Sequence, residues 1–344
     1  TSRLFFLFPG ANDQTEAQER IVGSAMGLSV DQSVLWVSNK EQVWRFSNVG
    51  PRRIEDNDWQ AVYMPRKGYF LGGCDTHDIV AGASFGDTRY ELAFVNTLYS
   101  CVAAIDAHYG FRPLWKPDFI TALSPEDRCH LNGVGSRDGE LAYVTLCGRS
   151  DTPLGWKEVK NGGGMVIDIR SDEVLCQGLS MPHSPRWHND RLWLLNSGDG
   201  DFGFLDGGAF VPVALCAGFA RGLTFVGDYA VIALSRLRDN IFASGITIKD
   251  RLEKLRIPQR CGLIVVDLNT GGVVHWLTID GVVTELYDVA FLPGITRPYT
   301  PGFSEPDLHR RIQHVMPDIF PLAPPRPGPD QDGASTPVRN GAKP

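Results

Sequence analysis

Three histidines recur at a fixed interval along this chain. His77, His130 and His183 are 53 residues apart, and each is followed by a short apolar stretch, a polar turn and a strand-like run. The strand-like runs are Leu92–Val95, Leu141–Val144 and Leu192–Leu195. A fixed period in which every unit consists of several short strands is typical of an all-β propeller, with one blade per repeat.

The remaining strand-like runs align with these three units. The alignment places Met26, Arg221 and Tyr287 where the histidines stand, and we call these six places the slot positions. Successive slot positions are separated by 51, 53, 53, 38 and 66 residues, which predicts six blades. The surplus strands Arg3–Phe8 and Arg20–Gly23 are predicted to complete the last blade, so that the ring closes without an open sheet edge.

The domain boundaries follow from changes in composition. Residues 1–317 are predicted to form one propeller domain. Residues 236–258 break the strand pattern and are predicted to be an insertion on the face that carries the histidines, since insertions in repeat arrays gather on one face. Residues 318–344 are rich in proline and glycine and are predicted to be a disordered tail.

Composition restricts the class of partner. A hydrophobic content of 43% and a charged content of 21% are those of a soluble globular protein. The formal net charge of −7, without a basic stripe, argues against nucleic acid or an anionic membrane as partner. The seven cysteines are scattered and odd in number, so we predict reduced, mostly buried thiols and a cytoplasmic protein.

The slot positions predict a metal site. Equivalent residues of successive inner strands form a ring at one mouth of a propeller channel, and three neutral imidazoles converging there are a typical ligand set for a divalent cation with an open position. We therefore predict that His77, His130 and His183 bind Fe, Mn, Zn or Cu. Glu285 and Asp288 are predicted to be further ligands or to orient an imidazole. A metal-free polar ring and a purely structural ring are the alternatives.

The other polar residues near the slot positions suggest substrate contacts. Arg221 is predicted to bind a carboxylate or phosphate in bidentate fashion. The alternative is a structural arginine paired with Glu285 or Asp288. Asn132 and Arg186 are predicted to contact the substrate.

Several stretches resemble those of a bacterial family of conserved hypothetical proteins, a domain of unknown function, over about residues 20 to 298. They are Gln42–Phe46, Cys129–Gly133, His183–Trp187, Leu195–Gly200, Phe219–Leu223 and Asp288–Gly294. The resemblance implies a propeller-like fold and no settled activity. The architecture is more loosely similar to propeller lyases that act on acidic sugars and to carotenoid-cleaving oxygenases, which hold a metal on the axis by histidines.

These observations favour a metal-dependent enzyme of the lyase, isomerase or oxygenase type. Its substrate would be a small acidic molecule or a peptide end bound in the channel mouth. The metal would polarise a substrate oxygen or activate water or dioxygen, and Tyr287 or Asp78 would move a proton as catalytic residues. The alternative is a non-catalytic propeller that binds a protein partner.

Overall fold

The structure is a computed structural model that describes residues 2–54, 56–237 and 245–303. The predicted tail 318–344 lies outside these residues, as does part of the predicted insertion. As predicted, the described chain is all-β, apart from two short α-helices and one 3-10 turn. None of its described helices is long and apolar enough to span a membrane.

The chain begins with a hairpin and a four-stranded sheet. Their strands are β1 (Arg3–Pro9), β2 (Thr15–Ile21), β3 (Leu28–Asp31), β4 (Val34–Ser38), β5 (Gln42–Asn48), β6 (Arg52–Ile54), β7 (Asn57–Trp59) and β8 (Ala61–Phe70), with the 3-10 turn Ala11–Asp13 between the first two. Strands β3, β4, β5 and β8 pair in this order and form the first blade. β1 pairs antiparallel with β2, and β6 pairs with β7.

The next two blades follow directly along the chain. Their elements are β9 (Ile79–Ala81), β10 (Ser84–Phe85), β11 (Thr88–Arg89), β12 (Leu92–Asn96), β13 (Cys101–Ala104), β14 (Arg112–Trp115), β15 (Leu131–Arg137), β16 (Glu140–Leu146), α1 (Trp156–Val159), β17 (Gly164–Asp168) and β18 (Glu173–Leu179). The second blade is β9-β12-β13-β14, and the third is β15-β16-β17-β18. The small β10–β11 hairpin joins the third sheet through β10 and β16.

Two further blades complete the set. Their elements are β19 (Pro182–His188), β20 (Arg191–Asn196), β21 (Asp201–Asp206), β22 (Ala209–Leu215), β23 (Phe219–Val226), β24 (Tyr229–Ser235), α2 (Thr247–Leu255), β25 (Gly262–Asp267) and β26 (Val273–Thr278), followed by β27 (Pro298–Tyr299). The fourth blade is β19-β20-β21-β22 and the fifth is β23-β24-β25-β26. β27 runs parallel to β8 at the outer edge of the first blade.

Short turns fix the first hairpin of the third and fourth blades. Asp138 and Gly139 connect β15 to β16 with φ angles of 54° and 79°. Asn189 and Asp190 connect β19 to β20 with φ angles of 47° and 57°. Two consecutive residues with positive φ are the requirement of a type I′ turn, which suits the twist of paired strands and favours Asn, Asp and Gly.

The hydrophobic core is divided among the interfaces between successive blades. Trp36 of the first blade packs in one cluster with Phe94 of the second. Val95 of the second blade shares the next cluster with Leu141 of the third. Strand β12 is buried along its whole length because both of its faces pack against a neighbouring blade. The seven cysteines are buried and form no disulfide, as predicted.

The prediction of six blades is wrong, because the structure has five. Within the described residues, no strand occurs between Thr278 and Pro298, where the sixth blade was expected. The predicted closure is also wrong: Arg3–Phe8 pairs only with its neighbour β2. The hairpin of β1 and β2 forms because closing a short loop costs little conformational entropy. The stretch after Tyr287 has no runs of alternating apolar and polar residues, so it cannot supply the strands of a further sheet.

The place of the missing blade is filled in another way. The segment Glu285–Leu292 lies between the fifth and the first blade, because Leu28 N donates to Asp288 Oδ2 at 2.7 Å and a β-carbon at Gly222 would lie only 2.5 Å from Asp288 Cα. Phe6 of β1, which is not part of this segment, packs in a buried cluster with residues of the first blade. We call the segment Glu285–Leu292, together with the β1–β2 hairpin, the seam.

Candidate functional site

The structure brings five of the slot residues together. The imidazole rings of His77 and His130 lie edge to face, with their centroids 5.0 Å apart. The Tyr287 ring is 6.5 Å from that of His77, and the Arg221 guanidinium is 4.7 Å from the centroid of the Tyr287 ring. The charge of Arg221 also acts on His183. We call these five residues the histidine site.

Their common position on the inner strands explains why they meet. His77 lies two residues before β9, and His130 lies immediately before β15. His183 and Arg221 lie in the first residues of β19 and β23. Tyr287 belongs to the seam and not to an inner strand, but its ring lies beside His77 and Arg221. The histidine site therefore occupies one mouth of the channel.

His183 is a neutral imidazole whose two nitrogens are both bonded. Its Nδ1 lies 2.9 Å from the carbonyl oxygen of Met181, which can only accept, so Nδ1 carries the proton. Nε2 then accepts from Asn132 Nδ2 at 3.2 Å, while Asn132 Oδ1 accepts from Thr145 at 2.9 Å. Burial, followed by the charge of Arg221, holds the pKa of His183 well below its ordinary value.

His77 is also neutral, but its second nitrogen remains an acceptor. Nδ1 donates to the carbonyl oxygen of Asp75 at 2.7 Å, which leaves the lone pair on Nε2. Burial, followed by the charge of the neighbouring His130, lowers the pKa of His77 to about 4. Among the described residues, no hydrogen bond to Nε2 of His77 is formed.

His130 is oriented by a carboxylate. Its Nδ1 lies 2.9 Å from Asp127 Oδ2, and Trp156 Nε1 donates to the same oxygen at 2.9 Å. The Trp156 ring stacks on His130 with centroids 4.1 Å apart. This is the arrangement in which an aspartate fixes the imidazole tautomer and leaves Nε2 to act as a base. Sequence reasoning missed both partners, although an acidic residue three positions before a slot histidine is a usable signal for Asp127.

The three-histidine metal site stays a prediction. Within the residues that the structure describes, no three His, Cys, Asp or Glu side chains are arranged to hold a metal ion. Asn132 occupies Nε2 of His183, and the charge of Arg221 disfavours a second cation beside it. Glu285, predicted as a ligand, instead pairs with Arg221 at 3.3 Å. The alternative assignment of Arg221 as a paired, buried arginine is therefore the one that the geometry shows.

Asp78 and Arg186 bind each other rather than standing free for a substrate. Two guanidinium nitrogens of Arg186 each lie 2.8 Å from one oxygen of Asp78. Asp78 also accepts from the backbone N–H groups of Ile79 at 3.0 Å and Val134 at 3.1 Å. The pair joins the second, third and fourth blades across the channel. Asp78 is thus engaged in an ion pair, and its role in moving a proton stays a prediction.

Asp288 lies beside this ion pair and not at the histidine site. Its two oxygens accept from Leu28 N at 2.7 Å and Val289 N at 2.8 Å. Burial, followed by the negative charge of Asp78, raises the pKa of Asp288 to about 7. We call Asp78, Arg186 and Asp288 the charged layer.

The channel continues beyond the charged layer as a cavity of about 290 Å³. Its lining consists of residues that follow the slot positions along the inner strands, including Leu28–Val30, Ile79–Ala81, Gly135, Arg186, Leu223 and Val289–Phe291. The charged layer therefore separates the histidine site from the opposite half of the channel.

The backbone around the histidines is unusual. Five residues close to them, none of them glycine, have φ between 46° and 54°: Asp75, Asp127, His130, Met181 and Ser184. Left-handed backbone is costly for His and Met side chains and persists where the surrounding structure holds it in place. Such residues cluster at functional sites, which favours a functional role for this mouth.

The described part of the predicted insertion packs on the same face. Ile248 and Leu252 of α2 share a buried cluster with Trp156 and Phe219. Trp156 stacks on His130, so this helix supports the wall of the histidine site. The stretch 238–244 of the insertion lies outside the described residues.

The tautomers described above can be tested directly. At pH 6 we expect ¹⁵N NMR spectra to show that His77 and His183 are both neutral, because burial lowers the pKa of both imidazoles. In each ring the single nitrogen-bound proton should be on Nδ1. Spectra of the His77→Gln and His183→Gln variants assign the two signals. A proton on Nε2 of His183, or protonation of His77 above pH 6, would contradict the arrangement.

The fold and the site define a β-propeller with a buried histidine-rich mouth. The sequence model of one family, described as a domain of unknown function (DUF4915), matches residues 1–300. The chain therefore belongs to this family, in agreement with the resemblance seen in the sequence. Among curated proteins, none matches the sequence.

Solved propeller structures are similar to this chain at low identity. A chain of a nidogen/laminin complex has a TM-score of 0.48 and 12% identity, covering 83% of this chain and 96% of that one. Virginiamycin B lyase from Staphylococcus aureus has a TM-score of 0.39 and 13% identity, covering 67% and 70%. A protein of unknown function from Bacteroides thetaiotaomicron has a TM-score of 0.41 and 10% identity, covering 82% and 64%.

Proposed function

We propose that this protein is an enzyme of the lyase or isomerase type that removes a proton from a small molecule bearing a carboxylate or phosphate at the histidine site. The observation that carries the proposal is the Asp127–His130 pair. The partly buried carboxylate of Asp127 accepts from Nδ1 of His130, with 2.9 Å between Nδ1 and Oδ2, and leaves Nε2 of His130 as a base. When Nε2 takes a proton, the negative charge of Asp127 stabilises the resulting imidazolium.

The neighbouring residues supply the other functions that such a reaction needs. His77 stays neutral, so its Nε2 accepts a hydrogen bond from a substrate hydroxyl without adding positive charge. The acidic group of the substrate competes with Glu285 for the Arg221 guanidinium. Tyr287, whose ring lies beside His77 and Arg221, donates its hydroxyl proton to the substrate. The substrate in this proposal is a small acidic molecule or a peptide end, and Asn132 acts indirectly by fixing His183.

The proton-transfer proposal has a test that does not require the substrate to be known. The protein is incubated in D₂O with a set of small carboxylic and phosphorylated acids, and deuterium incorporation is measured by mass spectrometry. His130→Gln should lower the exchange rate at least about 100-fold, because the base is lost while the fold is kept. His108→Gln, at an exposed position, is the matched control and should leave the rate unchanged.

Two results would contradict the proposal. One is the absence of exchange and of thermal stabilisation by every acid tested, which would favour the alternative of a propeller that binds a protein partner. The other is an exchange rate that His130→Gln leaves intact.

The metal-dependent version, which includes the oxygenase type, is a second proposal with a narrower ligand set. Because both nitrogens of His183 are bonded, a divalent cation would use Nε2 of His77 and Nε2 of His130. Such an ion would supply Lewis-acid chemistry at the channel mouth. Elemental analysis distinguishes the versions: one equivalent of metal, lost in His77→Ala and retained in His183→Ala, supports the second proposal and excludes the metal-free one.

A further inference from the structure

A second cavity lies at the seam, on the other side of the segment that carries Tyr287 and Asp288. Its volume is about 290 Å³. One wall is formed by β1 and the first blade, and the other by the face of the fifth blade. The side chains that line it are mostly apolar and include Leu4, Phe6, Met26, Leu35, Val231 and Leu263.

The missing blade accounts for this cavity. Between the other blades, each sheet face packs against the next sheet, as the buried clusters show. At the seam, Val231 and Leu263 of the fifth blade face a hairpin and an eight-residue segment instead of a sheet. Met26, the slot residue of the first unit, lines this cavity and not the histidine site. Protein interiors contain few voids larger than a water molecule, whereas small-molecule sites begin at about 300 Å³.

The lining determines which ligand would fit. Only Arg3 and Asp288 are charged, and both have partners: Arg3 pairs with Glu19, and Asp288 accepts from Leu28 N and Val289 N. An ionic ligand would therefore find no unpaired counter-charge. Apolar cavities of this kind stay dry and accept apolar molecules. β1 forms one wall, and a volume of about 290 Å³ suits a small molecule and is too small for a strand or helix of a partner protein.

We propose that the seam cavity binds one small uncharged aliphatic molecule, such as a medium-length alcohol. The inference does not depend on the proposed enzymatic activity, because the site is formed by the absence of the sixth blade. Residues 289–291 line both this cavity and the channel, so an occupant contacts the back of the segment that carries Tyr287.

The test measures binding to the full chain. The probe is decylamine carrying a dansyl group on its nitrogen, which is uncharged at neutral pH and whose emission rises on transfer to an apolar site, and unlabelled 1-decanol is the competitor. Wild-type protein should bind about one equivalent, in competition with decanol. Val231→Phe, which fills the cavity from β24, should weaken the affinity at least about tenfold without lowering the melting temperature, since the added ring enters existing space.

The controls separate a specific site from dye binding to the surface. Val211→Phe, on outer strand β22 of the fourth blade and away from the cavity, should change the affinity less than about twofold. Leu263→Phe is a second filling variant, used if Val231→Phe is poorly folded. Absence of saturable binding to the wild type, or equal affinity in a folded filling variant, would overturn the proposal and leave a dry packing defect.

Discussion

Replacing Arg186 by methionine should lower the free energy of unfolding by about 3–5 kcal/mol. The reason is the charged layer, in which Arg186 contacts both oxygens of Asp78 at 2.8 Å while Asp288 lies close by. Without the guanidinium, two buried carboxyl groups face each other with no cation. Urea unfolding at pH 7, followed by circular dichroism, measures the loss.

Two comparisons show whether charge burial is the cause. Arg53→Met removes an exposed ion pair, in which the side chains of Arg53 and Asp56 are 67% and 98% exposed. This variant should lower the free energy of unfolding by less than about 1 kcal/mol. Adding Asp78→Leu to Arg186→Met should restore part of the stability, because it removes the charge that was left unpaired. A loss below about 1 kcal/mol in Arg186→Met would mean that the ion pair does not hold the blades together.

The second large effect concerns Asp288 and pH. Its pKa is about 7 in the folded protein against an ordinary value of 3.8, because the group is buried and lies near the charge of Asp78. The folded state therefore binds this proton more tightly than the unfolded state does. This contribution to stability is fully present below the ordinary pKa, is lost as the pH rises through about 7, and is constant above that.

Asp288→Asn keeps the side chain neutral at every pH. We therefore expect the stability difference between variant and wild type to change between pH 4 and pH 8 in favour of the variant, by up to about 3 kcal/mol. The change with pH is the diagnostic quantity, since the amide also replaces one acceptor of the backbone hydrogen bonds to Leu28 and Val289. Thermal or urea unfolding across this range gives the difference.

Asp138→Asn is the matched control, because Asp138 is 84% exposed in a hairpin turn. Its stability difference from the wild type should show no such trend. A flat difference for Asp288→Asn would mean that Asp288 is ionised throughout, and that Arg186 neutralises both carboxylates of the charged layer.

The sequence was sufficient to predict the blades that repeat regularly. The period of 53 residues placed His77, His130 and His183 at the start of successive inner strands, because each unit folds largely through its own hairpins. The count failed where the repeat was inferred from one aligned stretch, the one around Tyr287. Tyr287 of that stretch does lie beside the slot histidine His77. The stretch is held there by its contacts with Leu28 and Gly222 and not by pairing with a strand.

The residue types of the site were predictable, but their partners were not. Asp78 and Arg186 are 108 residues apart, and Asn132 and His183 are 51 apart. Such pairs depend on the relative positions of the blades around the channel axis. Neither the repeat period nor the local sequence pattern predicts those positions. For this reason, sequence reasoning assigned Asp78 to proton transfer and His183 to a metal, although each is already bound by a neighbouring blade.

The seam has a consequence for the order in which the chain acquires its structure. Its hydrogen bonds join residues far apart in sequence: Leu28 to Asp288 across 260 positions, and Arg20 to Thr300 across 280. The blades, in contrast, are built from hairpins between neighbouring strands. Contacts of high sequence separation form late because their entropic cost comes before their stabilisation. During synthesis, the early blades can assemble while the ring stays open, and the bond from Arg20 of the N-terminal hairpin to Thr300 must wait for nearly three hundred residues.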